Sequence, residues 1–354
     1  MKRLDRYIFR TVATATLVAL LALLLLEFFL TLLAELEDIG VGSYDLMAAF
    51  RYLLLIQPQR LYEMFPMALL VGSLLGMGTL ASGSELIVMR ASGLSLAQLT
   101  GSVLQTGMLL SLMVLILGEF VAPSLEQYAR EQRATVRGEN LEIRGGLGFW
   151  ARDGDYFIHV RGVSPNVRLV DINVFKVNSE AQLEIATHAD GARYRTGRWT
   201  LEGVNRSLLN GDSVLTERWS NMTVISAISP QILEVLTANP SQLSIRDLQV
   251  YVEYLEHNGL DAQPYRLALW RKLLAPLVYL AMLVIAMPFV FGPQRSVSVG
   301  QRLLVGLLLG LAFFLINYLL GNMVLLYGYP PLLGAALPSL LFLSIGFYAL
   351  RRIR

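Results

Sequence analysis

Apolar residues fill long stretches at both ends of this chain and thin out in its middle. Six stretches reach the roughly 20 residues that a helix needs to cross about 30 Å of hydrocarbon. They run over about 12–34, 60–81, 97–120, 268–291, 302–325 and 331–350. Between the third and the fourth the period changes. "RLVDINVFKV" sets Val170, Ile172 and Val174 against Asp171 and Asn173, the alternation of a half-buried strand. "GRWTLEGV" repeats it, and "RDGDY" and "ADGARY" offer Asp-Gly turns. The pattern predicts an antiparallel sheet sandwich or roll over about 140–230. Helical segments flank it: "PSLEQYAREQRATV" extends span three, and "SIRDLQVYVEYLEHNG" has helical spacing and a Gly stop. The fold class that follows is an α-helical membrane protein with six transmembrane helices and an inserted all-β domain. Residues 1–120 hold spans one to three, 121–265 the insert and 266–354 spans four to six.

Composition narrows the function. With 55% hydrophobic and 16% charged residues among 354, the chain is too apolar for a soluble globule. A net charge of +2, with no basic aromatic stripe, gives no footprint for nucleic acid. Cysteine is absent, which removes disulfides and thiolate metal sites. His159, His188 and His257 lack ligand spacing and read as surface or sheet residues, so no metal site is expected. None of the three lysines follows a glycine, so no Walker A loop can cradle ATP, and no catalytic constellation stands out. Basic residues sort the span ends. Lys2, Arg3, Arg6, Arg10, Arg90, Arg295, Arg302, Arg351, Arg352 and Arg354 lie on one side, against Arg51 and Arg60 in the short loops of the other. Arg266, Arg271 and Lys272 at the outer end of span four weaken the count but flank an insert too long for the rule to weigh. The positive-inside rule then puts both termini in the cytoplasm and the insert outside. "MKRLDRYIFR" opens a retained first span, because its apolar run is too long for a signal peptide.

The link between spans two and three, "ASGSELIVMRASGLS", is written as a helix. Ser82 and Glu85 form an S-x-x-E capping box, Gly93 supplies a stop, and Ser95 with Gln98 forms a second box opening span three. A cytoplasmic helix over about 83–93 is expected. Glu85, Met89 and Ser92 share one face, while Leu86 and Arg90 point another way. On one reading Glu85 only caps and Arg90 only follows the charge rule. On the other, a rigid knob presents a carboxylate and a flexible Met to a cytoplasmic partner. Glu27 is the clear intramembrane carboxylate, either functional or facing a polar neighbour, with Asn317 and Glu119 as weaker cases. Small residues at Gly72 and Gly76, and at Gly306 and Gly310, permit close helix approach.

"SELIVMRASG", "GEFVAP", "LSIRDLQVYVEYLEHNG" with "YRLALWRKLLAPL", and "FVFGPQRSVSVGQR" occur in that order, and together they resemble the LptF/LptG permease family of Gram-negative bacteria. The resemblance covers nearly the whole chain. It implies the membrane half of an ABC exporter in the bacterial inner membrane, with LptF and LptG paired, an LptB ATPase dimer on the cytoplasmic side and LptC alongside. Lipopolysaccharide would pass through periplasmic β-jellyroll domains to an LptA bridge. ATP and Mg would be bound by the partner ATPase, and no cofactor by this chain. The link would be the coupling helix, with Glu85 as acidic anchor and Met89, Arg90 and Gly93 matching the pattern around it. Pro293 and Arg295 match a second cytoplasmic loop. Spans one and five would wall a lipid cavity through Glu27, Phe28, Leu32, Phe313 and Asn317, and Ile158, Val160, Ile172 and Val174 would line a jellyroll groove. The chain departs from the family at the outer end of span one, where Thr31, Glu35, Glu37 and Asp38 stand in place of lysines. Phosphate contact then falls to Arg51, Arg60, Arg133, Arg271 or Lys272, or to bridging divalent cations.

Two other classes predict different behaviour. A secondary transporter of two three-span halves would use Glu27 as a proton-coupled site and need no ATPase. A membrane-tethered scaffold would tolerate changes in spans one and five. A stoichiometric ATPase subunit counts against both.

Overall fold

The structure is a computed structural model that describes residues 3–137, 141–142, 149–164, 168–178, 180, 182–195, 198–210, 213–224, 239–291 and 298–352. Its first helices are α1 (Arg3–Leu36), α2 (Leu46–Ser82), α3 (Glu85–Ala91), α4 (Leu96–Phe120) and α5 (Ala122–Arg137). After the sheet come α6 (Ile245–His257), α7 (Gln263–Leu273), α8 (Ala275–Phe291), α9 (Val299–Tyr327) and α10 (Pro331–Arg352). Five of these, α1, α2, α4, α9 and α10, are each long and apolar enough to cross a membrane. The sixth expected span is the pair α7 and α8, bent by 54°. Pro276 explains the bend, since it lacks the N–H that would continue the helical ladder to Lys272.

The chain divides into two compact units: 1–35, 53–126 and 263–354 make one, and 36–52 with 127–262 the other. In the helical unit α8 is buried all round, every residue from Ala281 to Met287 being inaccessible, as befits a helix without a polar face. Glycines set the helix contacts. Gly72 meets the backbone of Thr16 and Gly76 that of Val12, so α1 lies directly on α2. Gly306 meets Val71 and Leu74 while Gly310 meets Met67, which seats α9 on α2. Both expected small-residue pairs are thus at helix contacts. Gly107 against Leu283 and Gly346 against Val284 bring α4 and α10 onto α8.

The link is shorter than expected. α2 runs on to Ser82, whose hydroxyl donates to the Thr79 carbonyl at 2.9 Å, so Ser82 is not a cap. The N-cap of α3 is Ser84, at φ 60° and with no side-chain capping bond. Gly93 at φ 96° does end the helix, and the Ser95–Gln98 capping box is formed in full.

The β unit contains β1 (Leu141–Glu142), β2 (Phe149–Asp153), β3 (Tyr156–Ser164), β4 (Arg168–Val177), β5 (Leu183–Arg195), β6 (Arg198–Asn210) and β7 (Ser213–Val224). β3 to β7 pair antiparallel in chain order, and β1 and β2 both pair with β3. The "RDGDY" turn forms, with Gly154 at φ 59° between β2 and β3. The "ADG" of 189–191 is not a turn, because it lies inside β5. Its role is different. The ladders each skip one position, at Arg161/Asp171, Asp171/Asp190, Asp190/Gly203 and Gly203/Ser220. These positions form one row across four ladders, where Asp171 has φ 52° and Gly203 φ 65°. The row is a crease. Glycine suits position 203 because its left-handed backbone strains a residue with a Cβ, and a side chain there would also press on the Asp190 carboxylate.

Candidate functional site

The crease decides which side chains face inward. Before it, the inner face carries Ile158 and Val160 on β3, paired with Val174 and Ile172 on β4. Past Asp171 the alternation inverts, so Leu169 turns inward while Val170 is exposed. On β5 and β6 the same inversion brings in Ala192, Trp199 and Leu201. Faces from both sides of the crease therefore line one cavity of about 280 Å³, closed further by Met222 and Val224 of β7. This is near the lower end of ligand-sized pockets, about 300–1,000 Å³. The four strand residues expected from the sequence, Ile158, Val160, Ile172 and Val174, all line it. Leu169 escaped notice because strict alternation from Ile172 places it on the opposite face, and Trp199 and Leu201, the apolar positions of "GRWTLEGV", were not joined to the groove because spacing within one strand does not show which faces share a cavity. Asp171, Asp190 and Gly203, spaced to share a register, were the available signal.

Three charged side chains also reach the cavity: Asp153, Lys176 and Arg206. The Lys176 ammonium donates to Glu184 at 2.8 Å, which holds its pKa above the ordinary lysine value. Elsewhere on the sheet, Arg161 pairs with Asp171 at 2.7 Å and His188 Nδ1 lies 3.0 Å from Asn173 Oδ1. His188 is a sheet residue, as its sequence context suggested.

In the helical unit the intramembrane charges have neighbours. Glu27 lies 2.9 Å from Arg60 Nε and accepts from Thr31 at 2.8 Å. Arg60 also reaches Glu63 at 3.0 Å. Lys272 is buried, 3.7 Å from Glu119 and over the ring of Tyr62. Arg271 donates to the Asn317 carbonyl at 2.8 Å. In the β unit Arg133 pairs with Asp38 at 2.7 Å, joined by Arg137 at 3.1 Å. Of the phosphate-contact candidates, Arg60, Arg133, Arg271 and Lys272 are therefore engaged within the chain, and Arg51 is exposed on α2. Asp38, part of the acidic departure at the end of α1, serves to hold α5 arginines. Among the wall candidates, Phe28, Leu32 and Asn317 are half-buried, but Phe313 turns into the bundle with its ring 5.1 Å from that of Phe342. Beside it on α9, Phe314 and Tyr318 are among the exposed positions.

On α3 the structure buries Met89 with Leu86, because a helix of seven residues lying on the bundle must turn one apolar stripe inward. The face expected to carry Met89 outward is composed differently: Ile87, Val88 and Arg90 are exposed. The Glu85 carboxylate faces the hydroxyl of Tyr7 on α1. Gly93 ends the helix rather than making a contact. Pro293 and Arg295 lie outside the described residues.

A bundle of membrane-length helices, interrupted in sequence by a creased sheet with a largely apolar cavity, defines a multi-pass membrane protein with an inserted β domain. The family model for the lipopolysaccharide export system permease LptF/LptG matches residues 6–352, and the chain belongs to this family. It is 36% identical over 352 residues to the lipopolysaccharide export system permease protein LptG of Escherichia coli K12, covering 99% of this chain and 98% of that one. It is 34% identical over 355 residues to LptG of Haemophilus influenzae, covering 99% of each.

Proposed function

We propose that this chain is the transmembrane permease subunit of an ABC exporter that extracts lipopolysaccharide from the bacterial inner membrane. On this reading LptF is its homologous membrane partner, an LptB dimer hydrolyses ATP on the cytoplasmic side, and LptC assembles alongside. Both termini and α3 face the cytoplasm, and the β unit lies in the periplasm, where it leads toward an LptA bridge. The chain itself is not an enzyme. The observation that carries the reading is the apolar cavity of the creased sheet, which would shelter acyl chains from water where leaving them exposed is unfavourable. The relatives' names supply the substrate class. Glu27 already has a structural partner in Arg60, 2.9 Å away, so its presence in the span calls for no proton-coupled site.

The test is purification of the tagged chain in nanodiscs with photo-crosslinkers at Phe28, Leu32, Phe314 or Ile172. A stoichiometric ATPase subunit, with ATP-dependent capture of lipopolysaccharide at these positions, is expected. Absence of any ATPase would sink the exporter assignment. The coupling role of α3 is read separately. Val88→Asp, on its exposed face, should release the ATPase while leaving the bundle folded. Glu85→Gln keeps a side chain able to accept from Tyr7, so impaired coupling in that variant would mean that the charge itself meets the partner. Normal coupling would confine Glu85 to holding α1 and α3 together.

A further inference from the structure

Arg206 lies on β6, in a row that runs Ile158, Val174, Thr187, Arg206 across the inner face of the sheet. Its immediate neighbours in that row are Thr187 on β5 and Glu217 on β7, and beyond Thr187 the row is apolar. The guanidinium Nε is buried without a hydrogen-bond partner, and among the described residues Arg206 forms no ion pair. Glu217 stands opposite it on β7 yet is not paired with it. Lys176, the other cation at this cavity, is already committed to Glu184. A guanidinium stays charged at any physiological pH, and leaving one of its N–H groups buried and unmet is unfavourable. Folding alone gives no reason to place it in an apolar cavity.

We infer that Arg206 is the binding residue for the phosphate of an acylated lipid phosphate whose hydrocarbon occupies the cavity. The planar fork of arginine donates two parallel bonds to a phosphate, a match that a lysine provides only as a point charge. The apolar wall of Ile172, Val174 and Trp199 binds hydrocarbon without selecting its position, whereas one fixed cation sets how far the molecule enters. This rests on the proposed lipid route and adds to it a point of register and a preference for phosphorylated lipid.

The experiment uses the full chain in its membrane complex, in phosphatidylcholine nanodiscs, with a photo-crosslinker replacing Val174. The probes are lipid A carrying both phosphates and the same lipid after phosphatase treatment. Wild-type protein should capture the phosphorylated lipid about tenfold more than the dephosphorylated one, the size of one charge-assisted contact. Arg206→Gln should lower capture of the phosphorylated lipid to the dephosphorylated level, leaving the latter unchanged, and Arg206→Lys should fall between. Equal capture of both lipids by wild-type protein overturns the assignment, as does undiminished capture by a folded Arg206→Gln variant. Should that variant fail to fold, the wild-type comparison of the two lipids still decides. Capture of neither lipid removes the β unit from the lipid route, and this assignment with it.

Discussion

In the helical unit Leu25 and Leu326 are 68% and 78% exposed, while Lys272 and Arg302 are 7% and 8% exposed. The β unit does the reverse: Ile172 and Trp199 are 2% and 3% exposed, and the Arg161 side chain is 68% exposed. One chain therefore follows two solvent rules. Water rewards hiding leucine and showing arginine. Hydrocarbon gives leucine no reason to hide, and it requires each charge to find a partner inside the protein. The ion pairs of Glu27 with Arg60 and of Lys272 with Glu119 are the structural result. Arg206 stands between the two, half-buried and with its Nε unmet among the described residues.

The largest effect should come from breaking a charge pair on the hydrocarbon side. Arg60→Ala leaves Glu27 and Glu63 uncompensated and should cost about 3–5 kcal/mol, read as a fall in the unfolding temperature of the detergent-solubilised protein. Combining it with Glu27→Gln should recover much of the loss, and no recovery would mean that the pair is not the cause. A similar cost in the β unit needs an apolar deletion. Ile172→Ala should destabilise by about 2–5 kcal/mol and enlarge the cavity, measurable by denaturation of the sheet.

Leu25→Lys tests the comparison directly. At a water-facing position it would change stability by only about 0.5 kcal/mol, whereas in hydrocarbon the cost is about 2.5–3.5 kcal/mol. A glycosylation-reporter insertion assay distinguishes the two, and efficient insertion of the variant would break the assignment of α1 to lipid. Smaller still are the ends of the link. Ser95→Ala should lose about 1 kcal/mol with the capping box of α4. Ser84→Gly should gain up to about 1 kcal/mol, since a left-handed backbone strains any residue with a Cβ. A loss at Ser84 instead would show that its side chain makes a contact the geometry does not explain.

The number and order of the apolar spans, the position of the sheet, and the four strand residues on one side of its cavity follow from local patterning alone. These rest on local periods of 3.6 and 2 residues, which survive in any tertiary arrangement. Spacing also singled out Gly72, Gly76, Gly306 and Gly310, which lie at helix contacts, but not Gly107 or Gly346, which do so too. The partners of charges were decided by tertiary structure: that Arg60 answers Glu27, that Arg133 answers Asp38, and that Met89 turns inward while Val88 turns out. Each of these depends on which helix lies alongside, and no residue spacing within one element encodes that. The crease is the sharpest case. A row of Asp171, Asp190 and Gly203 acquires meaning only once the strands are in register, and a single inverted position then exchanges inside for outside along the rest of each strand.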